Sequence, residues 1–154
     1  MDQGDNIVVA TDRQYVCFRL NDQEFGIKIE NVLEVINRPP VTPVINTPPF
    51  ISGVVNLRGQ IIAVIDLKIF FGLARGKKTN DRKIVVVRID GRSAGFLVDG
   101  ISQLRACEAP ATDSIPATVT GKTAEFMSGV VNISGRPLMI INVSSIYCSD
   151  EFKH

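Results

Sequence analysis

Histidine, tryptophan and tyrosine are scarce in this sequence, and their scarcity excludes several kinds of chemistry. Among 154 residues there are one histidine, no tryptophan and two tyrosines. The histidine is His154, the last residue, where no packed structure is expected to hold it in place. Catalysis by histidine is therefore nearly excluded, and few aromatic rings are present on which single-stranded nucleic acid could stack.

Cysteine is also scarce, and its spacing excludes a structural role. The three cysteines, Cys17, Cys107 and Cys148, form no C-x-x-C pair and are odd in number. A disulfide framework and a zinc site both need paired spacing, so neither is expected. We interpret the three residues as reduced thiols of a cytosolic protein, and we predict no metal and no cofactor.

Excess charge and catalytic motifs are absent as well. Lysine and arginine number 17 against 16 aspartates and glutamates, a formal net charge of +1. A nucleic-acid reader usually carries a clear basic excess, so this class is disfavoured. The sequence contains no G-x-x-x-x-G-K and no H-E-x-x-H, and its serines, including Ser93 within Gly91-Arg-Ser-Ala-Gly95, have no histidine to activate them. The prediction is a protein that is not an enzyme.

No long hydrophobic run is present. The longest unbroken apolar stretch, Ile61 to Ile65, has five residues, whereas a membrane-spanning helix needs about 20. The first residues, MDQGDNIVVATDR, lack the basic region and apolar stretch of a secretory signal. We therefore expect a cytoplasmic protein that inserts no segment into a membrane and associates with one only through a partner.

The sequence does contain an internal repeat. The stretch Ser52-Gly-Val-Val-Asn-Leu-Arg-Gly59 returns as Ser128-Gly-Val-Val-Asn-Ile-Ser-Gly135, an offset of 76 residues. Upstream, Gly26-Ile27 returns as Gly95-Phe96, an offset of 69 residues. Repeats of this kind indicate two copies of one supersecondary unit. The predicted organisation is a tail at 1–13, a first barrel at about 14–72, a linker at 73–82, a second barrel at about 83–148 and a tail at 149–154.

Each copy has the pattern of β-structure. Short runs rich in β-branched residues alternate with turn signals such as Asn21-Asp22, Arg58-Gly59 and Asp90-Gly91. The segment Glu30–Ile36 is predicted as one helical turn leading into a strand. Short strands that recur in two copies favour two small closed barrels, because closure removes exposed strand edges. The predicted fold class is all-β.

Positions that differ in polarity between the copies indicate where one copy has been specialised. Positions at which the first copy has a charged side chain and the second a neutral one include Glu34 against Gln103, Arg58 against Ser134 and Asp66 against Asn142. Glu34 and Arg58 have two interpretations. They form a solvated ion pair, or Arg58 anchors a partner protein beside apolar neighbours. The residues alone favour neither.

A family resemblance rests on the longest of these motifs. The stretch from Thr47 to Leu67, TPPFISGVVNLRGQIIAVIDL, resembles the signature of the CheW family of chemotaxis coupling proteins and of the related regulatory domain of CheA kinases. The likeness extends to Phe25–Glu34 and Gly95–Ile101 and covers about residues 14–148. It implies two SH3-like five-stranded barrels with short helical turns. It also implies a free-standing, non-enzymatic adaptor that links the cytoplasmic tip of chemoreceptors, the methyl-accepting chemotaxis proteins, to a CheA-type histidine kinase.

The resemblance also implies site residues. Residues expected to bind the receptor, in or beside a groove between the barrels, are Val32, Gly53, Leu57 and Arg58. Residues expected to bind the kinase, at a separate barrel end, are Glu34 and Val41. The segment 105–123 departs from the family pattern. The alternative function, from another class, is a small β-barrel binding module for nucleic acid or a small ligand.

Overall fold

The structure is a computed structural model that describes residues 14–37, 41–73, 82–106, 125–133 and 136–147. The predicted tails, most of the 73–82 linker, two of the cysteines and His154 lie outside these residues. Cys17 lies within them as a buried thiol. The first described residue, Gln14, begins a strand.

The described part of the chain contains ten strands and two short helices. The first copy carries β1 (Gln14–Leu20), β2 (Gln23–Lys28), β3 (Val32–Asn37), β4 (Ile51–Leu57), β5 (Gln60–Asp66) and α1 (Leu67–Phe70). The second copy carries β6 (Lys83–Ile89), β7 (Arg92–Val98), β8 (Gly100–Ala106), β9 (Met127–Ile133), β10 (Arg136–Ile141) and α2 (Val143–Tyr147). A 3-10 turn at Ile29–Asn31 leads into β3, as predicted. Neither helix in these ranges has the length and apolar character needed to cross a membrane.

The strands form two five-stranded sheets with the same internal order. Sheet A runs β8-β1-β2-β10-β9, and sheet B runs β3-β6-β7-β5-β4. The predicted all-β class with two SH3-like barrels is confirmed. The predicted division into barrels at 14–72 and 83–148 is wrong in strand membership. Each sheet takes the first two strands of one copy and the last three of the other, so the copies exchange strands.

Parallel pairing between the copies causes this exchange. Gly26 of β2 lies opposite Ile140 of β10, and Gly95 of β7 lies opposite Val64 of β5. A Cβ atom at Gly95 would lie 2.7 Å from Ile84 Cγ2, and one at Gly26 would lie 3.2 Å from Ile140 Cδ1. At Gly26 the missing side chain therefore lets β10 of the other copy pack closely, whereas at Gly95 it makes room for Ile84 of β6, in the same copy.

Three apolar clusters fill the fold. Each sheet encloses a small one, around Tyr15 and Leu138 in sheet A and around Val64 and Ile84 in sheet B. The largest lies between the sheets and contains seven phenylalanines, Phe18, Phe25, Phe50, Phe70, Phe71, Phe96 and Phe126. Because both sheets contribute to this shared core, neither barrel could separate without exposing it to water.

The two helices begin with equivalent caps. Asp66 Oδ1 accepts hydrogen bonds from the backbone N–H groups of Lys68 and Ile69, and Asn142 Oδ1 accepts one from Ser145. Asp and Asn are both favoured at this position. Asp66 also forms an ion pair with Arg82, Oδ2 to Nη2 at 3.2 Å. The acid at position 66 is thus explained by local structure and needs no partner.

A buried ion pair follows the first of these caps. Lys68 Nζ lies 3.0 Å from Asp99 Oδ1, with side chains only 14% and 9% exposed. Asp99 Oδ2 also accepts a hydrogen bond from the backbone N–H of Asn21, at 2.7 Å. Asn21 belongs to the β1–β2 turn of sheet A, whereas Lys68 follows β5 of sheet B. The carboxylate therefore joins the two sheets.

Replacing Gly95 by alanine is expected to lower the free energy of unfolding by about 1–3 kcal/mol, because the new Cβ would press on Ile84. Gly26→Ala is the matched control, since Gly26 is the repeat equivalent but has more room. Its loss should be smaller, because its nearest neighbour lies at 3.2 Å and needs to move only a few tenths of an ångström. Urea denaturation measures both, and an equal or larger loss for Gly26→Ala would contradict the packing argument.

Candidate functional site

The turn between β4 and β5 presents the most exposed candidate residue. Leu57 pairs with Gln60, which leaves Arg58 and Gly59 as a two-residue turn with φ values of 53° and 84°. Positive φ at both positions is the requirement of a type I′ hairpin. Asn56 Oδ1 accepts a hydrogen bond from the Gly59 N–H at 2.9 Å. This fixed turn holds the Arg58 side chain outward, 80% exposed.

Arg58 reaches across to β3. Its Nη2 lies 2.8 Å from Glu34 Oε1, and the Glu34 side chain is 26% exposed. Strands β3 and β4 are the two edges of sheet B, so this pair links edges that the strand order leaves apart. Nearby, Thr42 and Val54 of β4 exchange two backbone hydrogen bonds of 2.9 and 2.8 Å, so a segment that follows β3 in the sequence pairs with β4. The contacts close the barrel at this edge.

Gly53 lies under the same closure. It is buried at a register shift of β4, with φ of +148°. A Cβ atom there would lie 2.2 Å from the carbonyl oxygen of Thr42 and 2.9 Å from Val41 Cγ1. Glycine is therefore required by the chain's own backbone at 41–42. The resemblance implied a glycine that admits a receptor, but the described chain itself occupies this space.

Val32 and Leu57, the other two residues predicted to bind the receptor, do not line one groove. Leu57 packs, with Val41, against the apolar cluster inside sheet B. Val32 packs against the shared core between the sheets, on the other side of a register shift in β3. The space between the barrels around Val32 is packed core in the described residues.

Members of the two predicted site sets are therefore in direct contact. Residues of both sets form one surface, here called the Arg58 edge, made of Glu34, Val41, Gly53, Leu57 and Arg58. The Glu34–Arg58 pair joins a residue assigned to the kinase with one assigned to the receptor. The expected separation of the two sets is not present in the structure.

Several exposed apolar side chains lie on the strands and loop that carry this edge, and neither predicted site set includes them. Leu33 and Val35 flank Glu34 on β3 and are 50% and 39% exposed, and Ile61 on β5 is 62% exposed. Val44 and Ile45 follow the Thr42 bridge, and Ile45 is 86% exposed. The signal was present in β3, where VLEVIN keeps apolar residues on both faces of an edge strand. Exposed apolar side chains grouped in this way mark interaction surfaces.

The described residues hold no group of acids, cysteines or histidines that could bind a metal ion. What the Arg58 edge offers instead is a guanidinium group with apolar surroundings on a rigid double barrel. That combination defines a class of protein, a scaffold that works by binding other proteins.

Comparison with known proteins identifies the family of this scaffold. The family model described as CheW-like domain matches residues 14–151. The chain therefore belongs to the CheW-like family, whose members are scaffold proteins of chemotaxis and not enzymes.

Individual relatives agree with this assignment. The chain is 30% identical to the chemotaxis protein CheW of Rhizobium meliloti, over 90% of each chain. It is 34% identical to the protein FrzA of Myxococcus xanthus, over 88% of this chain and 85% of that one. The crystal structure of the scaffolding protein TtCheW from Thermoanaerobacter tengcongensis matches with a TM-score of 0.78 and 32% identity, covering 91% of this chain and 95% of that chain.

A double-mutant cycle on Glu34→Ala and Arg58→Ala should give a coupling energy of about 0–1 kcal/mol, because the arginine is mostly exposed and water screens the pair. The control is Asp99→Ala. It removes one partner of a buried pair and should cost about 3 kcal/mol or more. Urea denaturation measures all four variants. A coupling energy between Glu34 and Arg58 as large as the loss of unfolding free energy in Asp99→Ala would contradict this expectation. It would mean that the pair stabilises the fold.

Proposed function

We propose that this chain couples the cytoplasmic tips of chemoreceptors to a CheA-type histidine kinase. Support comes from its membership of a family of chemotaxis scaffolds. The observation that carries the proposal is the 2.8 Å contact between Arg58 and Glu34 on an exposed edge. In this proposal the chain works in the cytoplasm, binds no nucleic acid and reaches the membrane only through receptors.

Arg58 is the residue to which we assign receptor recognition. A guanidinium group offers five donors in a fixed fork and can pair with a carboxylate through two hydrogen bonds. Arginine surrounded by apolar side chains is frequent among residues that dominate protein interfaces. Here Leu57 precedes it and packs against the apolar cluster inside sheet B, and Ile61 on the next strand is exposed. A helical hairpin with an acidic residue and apolar neighbours fits this surface in helix-in-groove fashion.

Glu34 is the residue to which we assign kinase binding, together with Val41. Leu33 and Val35, its neighbours in β3, are exposed on the other face of the strand. Since Glu34 bonds Arg58, a receptor carboxylate that takes the Arg58 guanidinium competes with Glu34 for it. The released Glu34 then presents a different charge to the kinase.

This competition supplies a coupling mechanism. A ligand shifts an equilibrium only through differential contacts with its two states. The Glu34–Arg58 pair has two such states, bonded and open, and both proposed partners touch it. By linkage, the effect is reciprocal for binding, so the kinase changes receptor affinity by the same factor.

A pull-down followed by mass spectrometry tests the proposal. The baits are the wild-type chain, Arg58→Glu and the charge-swapped variant Glu34→Arg/Arg58→Glu. Wild type is expected to recover a chemoreceptor and a CheA-type kinase. Arg58→Glu should recover at least about tenfold less receptor, because truncation of a central interface arginine typically costs 2 kcal/mol or more. The swapped variant restores an ion pair but not the arginine, so it should remain as weak.

Two controls keep the result interpretable. Arg88→Glu makes the same substitution at an exposed position of β6 and should recover both partners. Circular dichroism should show Arg58→Glu folded, because its side chain is mostly in water. Recovery of neither partner by wild type, or full recovery by the swapped variant, would contradict the proposal.

A further inference from the structure

The buried ion pair of one half of the fold has an open cleft as its repeat equivalent. The cleft has a volume of about 280 Å³ and lies between the end of β2 and the start of α2. Its lining includes Lys28, Glu30, Ser128, Asn142 and Ser144, all of them exposed. We call it the Glu30 cleft.

The repeat offsets give the correspondence position by position. Glu30 corresponds to Asp99 at an offset of 69, while Ser144 corresponds to Lys68 and Asn142 to Asp66 at an offset of 76. Where Lys68 fills its site and places Nζ 3.0 Å from Asp99 Oδ1, the other half has only the short Ser144 side chain. Both Glu30 and Ser144 line the cleft. The acid and the position that corresponds to Lys68 are therefore on the same cavity.

Like Asp99, Glu30 provides an acidic side chain at this position of the repeat. Among the described residues no ion pair involves Glu30, whereas Asp66 and Asp99, the acids that frame the equivalent site, each have a basic partner. A lysine ammonium group has three donors to satisfy. The cleft offers the Glu30 carboxylate and the hydroxyl groups of Ser128 and Ser144. Ser128 Oγ donates its own hydrogen to the Ile140 carbonyl oxygen at 3.3 Å, so its oxygen remains an acceptor.

We propose that the Glu30 cleft receives a lysine side chain from a partner protein, whose ammonium group pairs with Glu30 as Lys68 pairs with Asp99. The volume suits this occupant, because one water takes about 30 Å³ of liquid and the cleft is several times larger. A lysine derivative on its own gains only a weak, exposed ion pair here, so its binding is expected at the high probe concentrations that an NMR titration can reach. A lysine carried by a protein already docked elsewhere binds at a high effective concentration.

Lys28 should repel the incoming lysine, so its removal should change the binding affinity in the opposite direction to the removal of Glu30. It lines the same cleft and carries the same charge as the incoming lysine. Its repeat equivalent is Leu97, which is neutral and packs against the cluster inside sheet B. Removal of the Lys28 charge should therefore strengthen binding, whereas removal of the Glu30 charge should weaken it. Opposite effects at two exposed positions are not expected from a general loss of structure.

Titration of the full chain with Nα-acetyl-lysine amide, followed by NMR, tests the proposal, with Nα-acetyl-norleucine amide as the uncharged control. The lysine probe should shift the backbone amides of Ser128, Asn142 and Ser144, and the norleucine probe should not. Glu30→Gln should weaken binding about fivefold, the loss of one exposed ion pair, and Lys28→Met should tighten it. Equal shifts from both probes, or unchanged affinity in Glu30→Gln, would overturn the proposal.

A second variant tests the repeat correspondence itself. Ser144→Lys places a lysine where Lys68 stands in the other half, and it should fill the cleft and abolish the probe shifts. It should also raise the urea midpoint, and Glu30→Gln in the same chain should cancel that gain. Unchanged probe binding in Ser144→Lys would overturn the proposal. Neither probe contains a receptor or a kinase, so this result is independent of the proposed coupling function.

Discussion

The parallel pairing of β2 with β10 and of β5 with β7 is the contact on which the rest of the structure depends. Each pair joins a strand of one copy to a strand of the other, so neither barrel is complete without both copies. Gly26 leaves room for Ile140 and Leu138 of the exchanged strand β10. The shared phenylalanine core and the Asp99 contact with the β1–β2 turn then hold the two sheets together.

This interlocking suits a scaffold. Partners bound at different places on a flexible chain would have no fixed geometry relative to one another. Here the Glu34–Arg58 pair joins the two edge strands of sheet B, and the Thr42–Val54 bridge pairs the chain after β3 with β4. The first copy also contributes β1 and β2 to sheet A. A change of contact at the Arg58 edge therefore acts on a body whose parts are held in register.

Much of this could be predicted from the sequence because the repeat supplies an internal control. It located the hairpin turns, the packing glycines and the two charged positions that form the Glu34–Arg58 pair. It could not reveal the strand exchange, since similarity between copies does not show whether a strand pairs within its own copy or with the other. Both arrangements bury the same apolar positions. The role of Gly53 could not be predicted either, because neither the repeat nor the composition shows that the chain at 41–42 packs against it.

The asymmetry between the copies reflects their different surroundings. Asp66 differs from Asn142 but performs the same capping role, so a change of charge alone did not identify function. Arg58 differs from Ser134 and reaches an acid on another strand. Lys68 differs from Ser144 and fills a site that its equivalent leaves open. These three differences can be told apart only by the contacts that each side chain makes in the structure.

Co-sedimentation with receptor-bearing membranes tests the central claim, that one chain bridges receptor and kinase, most directly. Membranes that contain a single chemoreceptor are mixed with a CheA-type kinase, with or without this chain, and the kinase in the pellet is measured. The account predicts that the kinase sediments with the membranes only when the chain is present. A pelleted chain that leaves the distribution of the kinase unchanged would contradict it.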